Sequence, residues 1–190
     1  MSNNIASSNI YAIAGNHDDI EMMKSAFIDT SIKIDEYLSI DKFNFIFIDS
    51  SKKPKKEMML GAGRVSDHDI QKIKNAKKET VIVIHQPIFE NGTDWFNKIG
   101  LENQNEVAQS VLNNTNIKHI ICGHGHSFIK TKVKGTTQTM SPSTSYGFDH
   151  HSKVLAKTNR IGAVMIDVGE DIESHEIKIP ERTECSATFR

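Results

Sequence analysis

Three short stretches carry side chains able to act on a ligand: Gly15-Asn16-His17-Asp18, His85-Gln86-Pro87 and Gly123-His124-Gly125-His126. Their chemistry is narrow. They offer one amide oxygen and several imidazoles, with no Ser-His-Asp pattern, no cysteine nucleophile and no Gly-x-x-x-x-Gly-Lys loop to cradle a phosphate. Imidazole nitrogen and amide oxygen suit divalent metals, so the set points to a metal centre. His124 and His126 stand two apart, and on an extended segment both would leave the same face, toward one metal or toward two neighbouring ones. A single histidine at a strand end is usually structural. His17, His85, His124 and His126 at three strand ends, together with Asn16, favour a metal site instead.

Short apolar runs deliver these stretches. Tyr11 to Ala14 leads into Gly15, Val81 to Ile84 into His85, and His119 to Cys122 into Gly123, each run reading as a strand that ends in a polar loop. Between them Ser66-Asp67-His68-Asp69 predicts a cap ahead of a helical stripe at Ile70, Ile73 and Ala76. Val107, Val111 and Leu112 mark a second stripe. Alternating strand and helix predicts an α/β sheet, in which ligands collect beyond the carboxyl ends of the strands, where the three loops would meet. His119, on the strand body, reads as structural.

A length of 190 residues predicts one domain, 1–190, and 37% hydrophobic with 25% charged residues at a net charge of -1 excludes a disordered polymer. That charge gives no reason to expect a nucleic-acid partner. Runs such as Val81 to Ile84 fall far short of the roughly 20 residues a bilayer crossing needs, so no membrane partner is expected. Met1-Ser2-Asn3-Asn4 is too polar for a signal peptide, and the expected location is cytoplasmic. Cys122 and Cys185 are too few for a disulfide framework, and Cys122 reads as a buried reduced thiol. The Lys52-Lys53-Pro54-Lys55-Lys56 run reads as a solvated loop. Met22-Met23 and Met58-Met59-Leu60 are expected to pack within their own helix or loop.

The three stretches, in this order and on these strands, resemble the last three motifs of the calcineurin-like metallophosphoesterases. Ile48-Asp49-Ser50, Gly63 before the Ser66 helix, Leu101-Glu102-Asn103, and Pro142 to Ser145 followed by Gly147-Phe148 resemble the cyclic-nucleotide phosphodiesterase branch. A closing hairpin from Gly162 to Val168, a Gly169-Glu170-Asp171 turn and His175 to Pro180 fits the same branch. The resemblance implies a β sandwich flanked by helices. It also implies two divalent metals about 3.5 to 4 Å apart that clamp a small-molecule phosphoester, most directly a 3',5'-cyclic nucleotide, and generate a hydroxide. By the same resemblance Asn16, His85 and His124 would bind the second metal and His126 the first. His17 would protonate the leaving alkoxide, and Asp18 would orient His17.

The family's Asp-x-His and Gly-Asp-x-x-Asp loops, which supply two ligands of the first metal and the bridging carboxylate, have no counterpart before Gly15. Asp149-His150-His151 has Asp-x-His spacing but follows the Pro142 to Ser145 loop, where the family places substrate-side residues, and makes a poor substitute. The expected fold therefore lacks its first two βα units, each of roughly 30 residues. Three neutral ligands without a carboxylate predict weak binding of one zinc, manganese, iron or cobalt ion and little or no activity. The alternative is a non-catalytic remnant or a partner-complementing fragment. A strand from Tyr11 to Ala14 without its neighbours would leave a bare edge, predicting a dimer, aggregation or dependence on an amino-terminal complementing segment.

Overall fold

A computed structural model describes residues 9–180; Cys185 and the Met1 to Asn4 opening lie outside them. In chain order the elements are β1 (Ile10–Tyr11), α1 (Ile20–Phe27), β2 (Ile32–Lys33), β3 (Tyr37–Ile40), β4 (Phe43–Ile48), α2 (Asp67–Lys74), β5 (Thr80–Ile84) and α3 (Asp94–Asn97). Then follow α4 (Gln104–Leu112), β6 (Ile117–Cys122), β7 (Ile129–Val133), β8 (Thr136–Met140), β9 (Gly147–Phe148), β10 (Lys157–Thr158), β11 (Ile161–Val168) and β12 (Ile172–Ile179).

Six strands form one mixed sheet in the order β3-β4-β5-β6-β8-β7. The inner four run parallel, and antiparallel β3 and β7 close the two edges. Parallel strands covered on both faces read as near-continuous apolar runs, which is why Val81-Ile82-Val83-Ile84 shows no polar alternation. On one face Ile46, Ile48, Ile82, Ile84 and Ile120 pack against Ile70 and Ile73 of α2 and Val107 and Val111 of α4. Full burial of each such side chain contributes roughly 1.5 to 3 kcal/mol. On the other face Phe43, Phe45 and Val81 pack against Val168 and Ile172. The second layer is thus the β11–β12 hairpin, in antiparallel register from Ile161 opposite Ile179 to Val168 opposite Ile172. Ser66 caps α2 through its hydroxyl, which accepts from the Asp69 amide at 3.1 Å.

Three expectations need correction. The run from Tyr11 to Ala14 is a strand only over Ile10–Tyr11, and one of its edges is covered: β2 pairs with it in parallel as a two-stranded sheet, and the Ala12 amide donates to the Lys33 carbonyl. Tyr11 also stacks on Phe47 at 5.3 Å, and Ala14 is buried. Met22 on α1 is 74% exposed and Leu60 is 94% exposed, because no element among the described residues lies over either. His124 and His126 are not on an extended segment, since their φ angles are 67° and 50°. Among the described residues no helix is long and apolar enough to cross a membrane.

His119 sits on the hairpin-facing side of β6, where its Nε2 meets Thr139 Oγ1 at 2.9 Å and that hydroxyl meets Ser174 Oγ at 2.9 Å. Burial, helped by the Lys130 charge, pushes its pKa down to about 4. The unfolded chain titrates near 6.5, so below that pH it binds a proton that the folded chain refuses, and stability falls as pH falls. At pH 5 the difference of about 1.5 pH units costs about 2 kcal/mol. Chemical denaturation at pH 7 and pH 5 should show at least that loss, because other buried histidines of lowered pKa add to it, and His119→Gln should lessen it by about 2 kcal/mol; an equal loss in the variant would contradict this account.

Candidate metal centre

Because β4, β5, β6 and β8 are parallel, their carboxyl ends lie along one edge of the sheet, and the loops after β5 and β6 are neighbours there. The Gly123 amide donates to the His85 carbonyl at 3.0 Å, which continues the register one step past the pair Ile84 and Cys122. Asn16 arrives on a tight turn: the Gly15 amide donates to Asp18 Oδ2 at 2.9 Å and the Asp18 amide to the Gly15 carbonyl at 3.1 Å. A Cβ on residue 15 would stand 3.1 Å from His85 Cε1, so glycine lets this turn lie against the imidazole.

Three donor atoms converge. Asn16 Oδ1 lies 2.8 Å from His85 Nε2, and His124 Nδ1 lies 3.2 Å from the same nitrogen. His124 Nε2 donates to the Ile99 carbonyl at 3.0 Å, which leaves Nδ1 as a lone pair. Only one proton, on His85 Nε2, can lie among the three atoms, and it cannot serve both neighbours well. Such a set is the one a cation satisfies. Gly61, at φ 99°, roofs it: a Cβ there would be 3.4 Å from Asn16 Nδ2 and 3.8 Å from His124 Cε1. Burial, with His126 and His17 adding, pushes His85 down to about 4. Burial and then His85 push His124 to about 3 against the Ile99 bond. Both rings are therefore unprotonated near neutrality, as metal ligation requires.

The remaining candidates lie around this set. His17 and Asp18 are exposed, and Asp18 closes the turn that carries Asn16 and His17. His126 bonds the Tyr146 carbonyl through Nδ1 at 3.1 Å and stacks on Phe148 at 4.9 Å, and burial holds its pKa below the usual histidine value. His124 and His126 both adopt left-handed φ values around Gly125, so the segment is not extended and their two-apart spacing does not by itself put them on one face. Of Asp149-His150-His151, Asp149 accepts from the His151 amide, and His150 turns inward to the Gly125 carbonyl at 2.7 Å.

Two supports escaped the sequence reading. Gln86 is fully buried and bonded to the Ser50 hydroxyl, and its Nε2 reaches the Gly61 carbonyl at 3.4 Å. His150 is the other; its pairing with Gly125 is a tertiary contact that no local spacing signals. The donor set fits one divalent ion on Asn16, His85 and His124. No group of three or more His, Cys, Asp and Glu side chains able to hold a metal occurs among the described residues, so nothing there completes a second, carboxylate-bearing site. Cys122 is buried and its thiol is pushed up by burial, which makes it a poor thiolate ligand.

The sequence resembles a probable cyclic nucleotide phosphodiesterase of Colwellia psychrerythraea at 27% identity over 152 residues, covering 74% of this chain and 54% of that protein. It resembles the 3',5'-cyclic adenosine monophosphate phosphodiesterase CpdA of Escherichia coli at 24% identity over 147 residues, covering 73% of this chain and 51% of that one. The chain thus spans about half the length of the curated relatives it matches. A dimetal phosphatase from Danio rerio aligns in structure at a TM-score of 0.46 and 14% identity, covering 72% of this chain and 57% of that one. Residues 1–128, which contain all three loops, match calcineurin-like phosphoesterase, and the chain belongs to that family.

Proposed function

We propose that this chain is a metal-dependent phosphodiesterase domain acting on a small phosphoester, most directly a 3',5'-cyclic nucleotide. The convergence of Asn16 Oδ1, His85 Nε2 and His124 Nδ1 carries the reading. The names of its relatives, cyclic nucleotide and 3',5'-cyclic adenosine monophosphate phosphodiesterases, support the substrate class. A divalent zinc, manganese, iron or cobalt ion bound there supplies Lewis-acid polarisation of a phosphoryl oxygen and a water of lowered pKa. Asn16, His85 and His124 hold and orient that ion, and His126 is the candidate ligand for a second. His17, exposed beside Asn16, donates a proton or hydrogen bond to the leaving alkoxide, and Asp18 sets its direction by closing the turn.

Three neutral ligands leave the ion's charge uncompensated, so affinity and turnover by this chain alone are low. Carboxylates from an amino-terminal complementing segment or a second copy would raise both. The test is hydrolysis of bis-p-nitrophenyl phosphate and of cyclic AMP with manganese or cobalt added. The expected result is slow turnover, below about 1 per second against the roughly 10 of a typical enzyme, abolished by chelation and by His124→Ala. Turnover indifferent to both would contradict the reading. Metal binding without any turnover would favour a non-catalytic remnant, which the missing carboxylate also allows.

A further inference from the structure

We propose that His150 is a positioning residue that clamps the Gly123–His126 loop in its ligand-presenting conformation. The proposal rests on the reading that this loop presents metal ligands. The loop is awkward to hold, because His124 and His126 both adopt φ values, 67° and 50°, that non-glycine residues seldom visit. Something outside the loop must fix it. The residue between them, Gly125, has its amide bonded to the Gly123 carbonyl at 2.8 Å and its own carbonyl bonded by His150 Nε2–H at 2.7 Å. A Cβ on residue 125 would lie 2.3 Å from Met140 Sδ and 2.9 Å from Phe96 Cζ, so the loop is pressed against those two side chains while His150 holds its carbonyl.

His150 is itself fixed. Trp95 stacks on its ring at 5.5 Å and 20°, and Phe96 meets it edge-on at 4.9 Å. Phe96 also packs on the His124 ring at 5.4 Å, joining the clamp to the ligand it positions. The opposite ring atom, Nδ1, is buried with no hydrogen-bond partner among the described residues, and the ring's one strong bond there goes to Gly125. Residue 92 must be glycine for the ring to sit here: it has φ 74°, and a Cβ would stand 2.2 Å from His150 Nδ1. An imidazole packed this way, with one bond aimed at a backbone carbonyl between two strained histidines, restrains the loop as an outer-sphere partner restrains a metal ligand.

Two variants separate the bond from the packing. His150→Phe keeps a ring between Trp95 and Phe96 but removes the N–H, whereas His150→Gln restores an amide N–H near the position of Nε2. In the metal-free protein, Gly125 amide hydrogen exchange should quicken at least about tenfold in His150→Phe and return toward wild type in His150→Gln. Affinity for cobalt, read by titration calorimetry, should fall about 10- to 100-fold in His150→Phe and recover within about threefold in His150→Gln. Unchanged exchange and affinity in a folded His150→Phe protein, or a His150→Gln protein as impaired as His150→Phe, would overturn the clamp. If wild type binds no cobalt, the metal reading fails while the exchange result alone decides the clamp.

Discussion

Gly63→Ala should lower the thermal midpoint by about 6 to 12 °C, the equivalent of about 3 kcal/mol in a chain of this size. A Cβ at residue 63 would stand 2.1 Å from the Ser50 carbonyl oxygen and 2.4 Å from Gln86 Nε2. Neither neighbour can give. The Ser50 carbonyl accepts from the Arg64 amide at 3.2 Å, and Gly63 is held from the other side by the Gly100 carbonyl at 3.1 Å and the Glu102 amide at 2.8 Å. Overpacking a core typically costs about 1 to 3 kcal/mol where side chains can shift. Here the obstacle is backbone, so the upper end is expected. Differential scanning calorimetry decides it, and a midpoint within about 2 °C of wild type would show that the strand end moves freely. The same substitution pushes Gln86, next in sequence to His85, and should weaken metal binding as well.

Alanine at His85 or at His124 should reduce affinity for manganese or cobalt by more than about 100-fold. Loss of an outer-sphere partner alone costs about 10- to 100-fold, and removing one of three direct donors must exceed it. The effect should be specific, since His119→Ala removes an imidazole bonded to Thr139 on the hairpin-facing side of the sheet and should leave metal affinity unchanged. Titration calorimetry on the three variants checks the pattern. Equal losses in all three would mean that folding, not ligation, had been damaged.

The strands that carry His85 and His124 are legible in the sequence because their apolar runs are continuous and end at a polar residue. Ser66 is legible because a cap precedes a clear helical stripe at Ile70 and Ile73. The strand before Gly15 is less so: its extent depends on pairing with Ile32 and Lys33, which belong to a weakly patterned stretch. α1 carries no buried residue and so shows no core-facing stripe to find; only Asp19, whose side chain accepts from Glu21 and Met22, marks its start. The two-apart spacing of His124 and His126 suggested one shared face on an extended segment, and the left-handed backbone at both shows that the segment is not extended. Nothing local encodes those φ values. They are imposed by Met140, Phe96 and His150 around Gly125, contacts that only the folded chain brings together.

The central claim is that Asn16, His85 and His124 form one site for a divalent ion. Zinc titration of protein labelled with nitrogen-15 in its histidine rings tests it most directly. The expected result is saturation at one equivalent per chain, with the largest ring shifts at His85 Nε2 and His124 Nδ1 and none at His119. Saturation with shifts confined to other histidines, or no binding at all, would contradict the account.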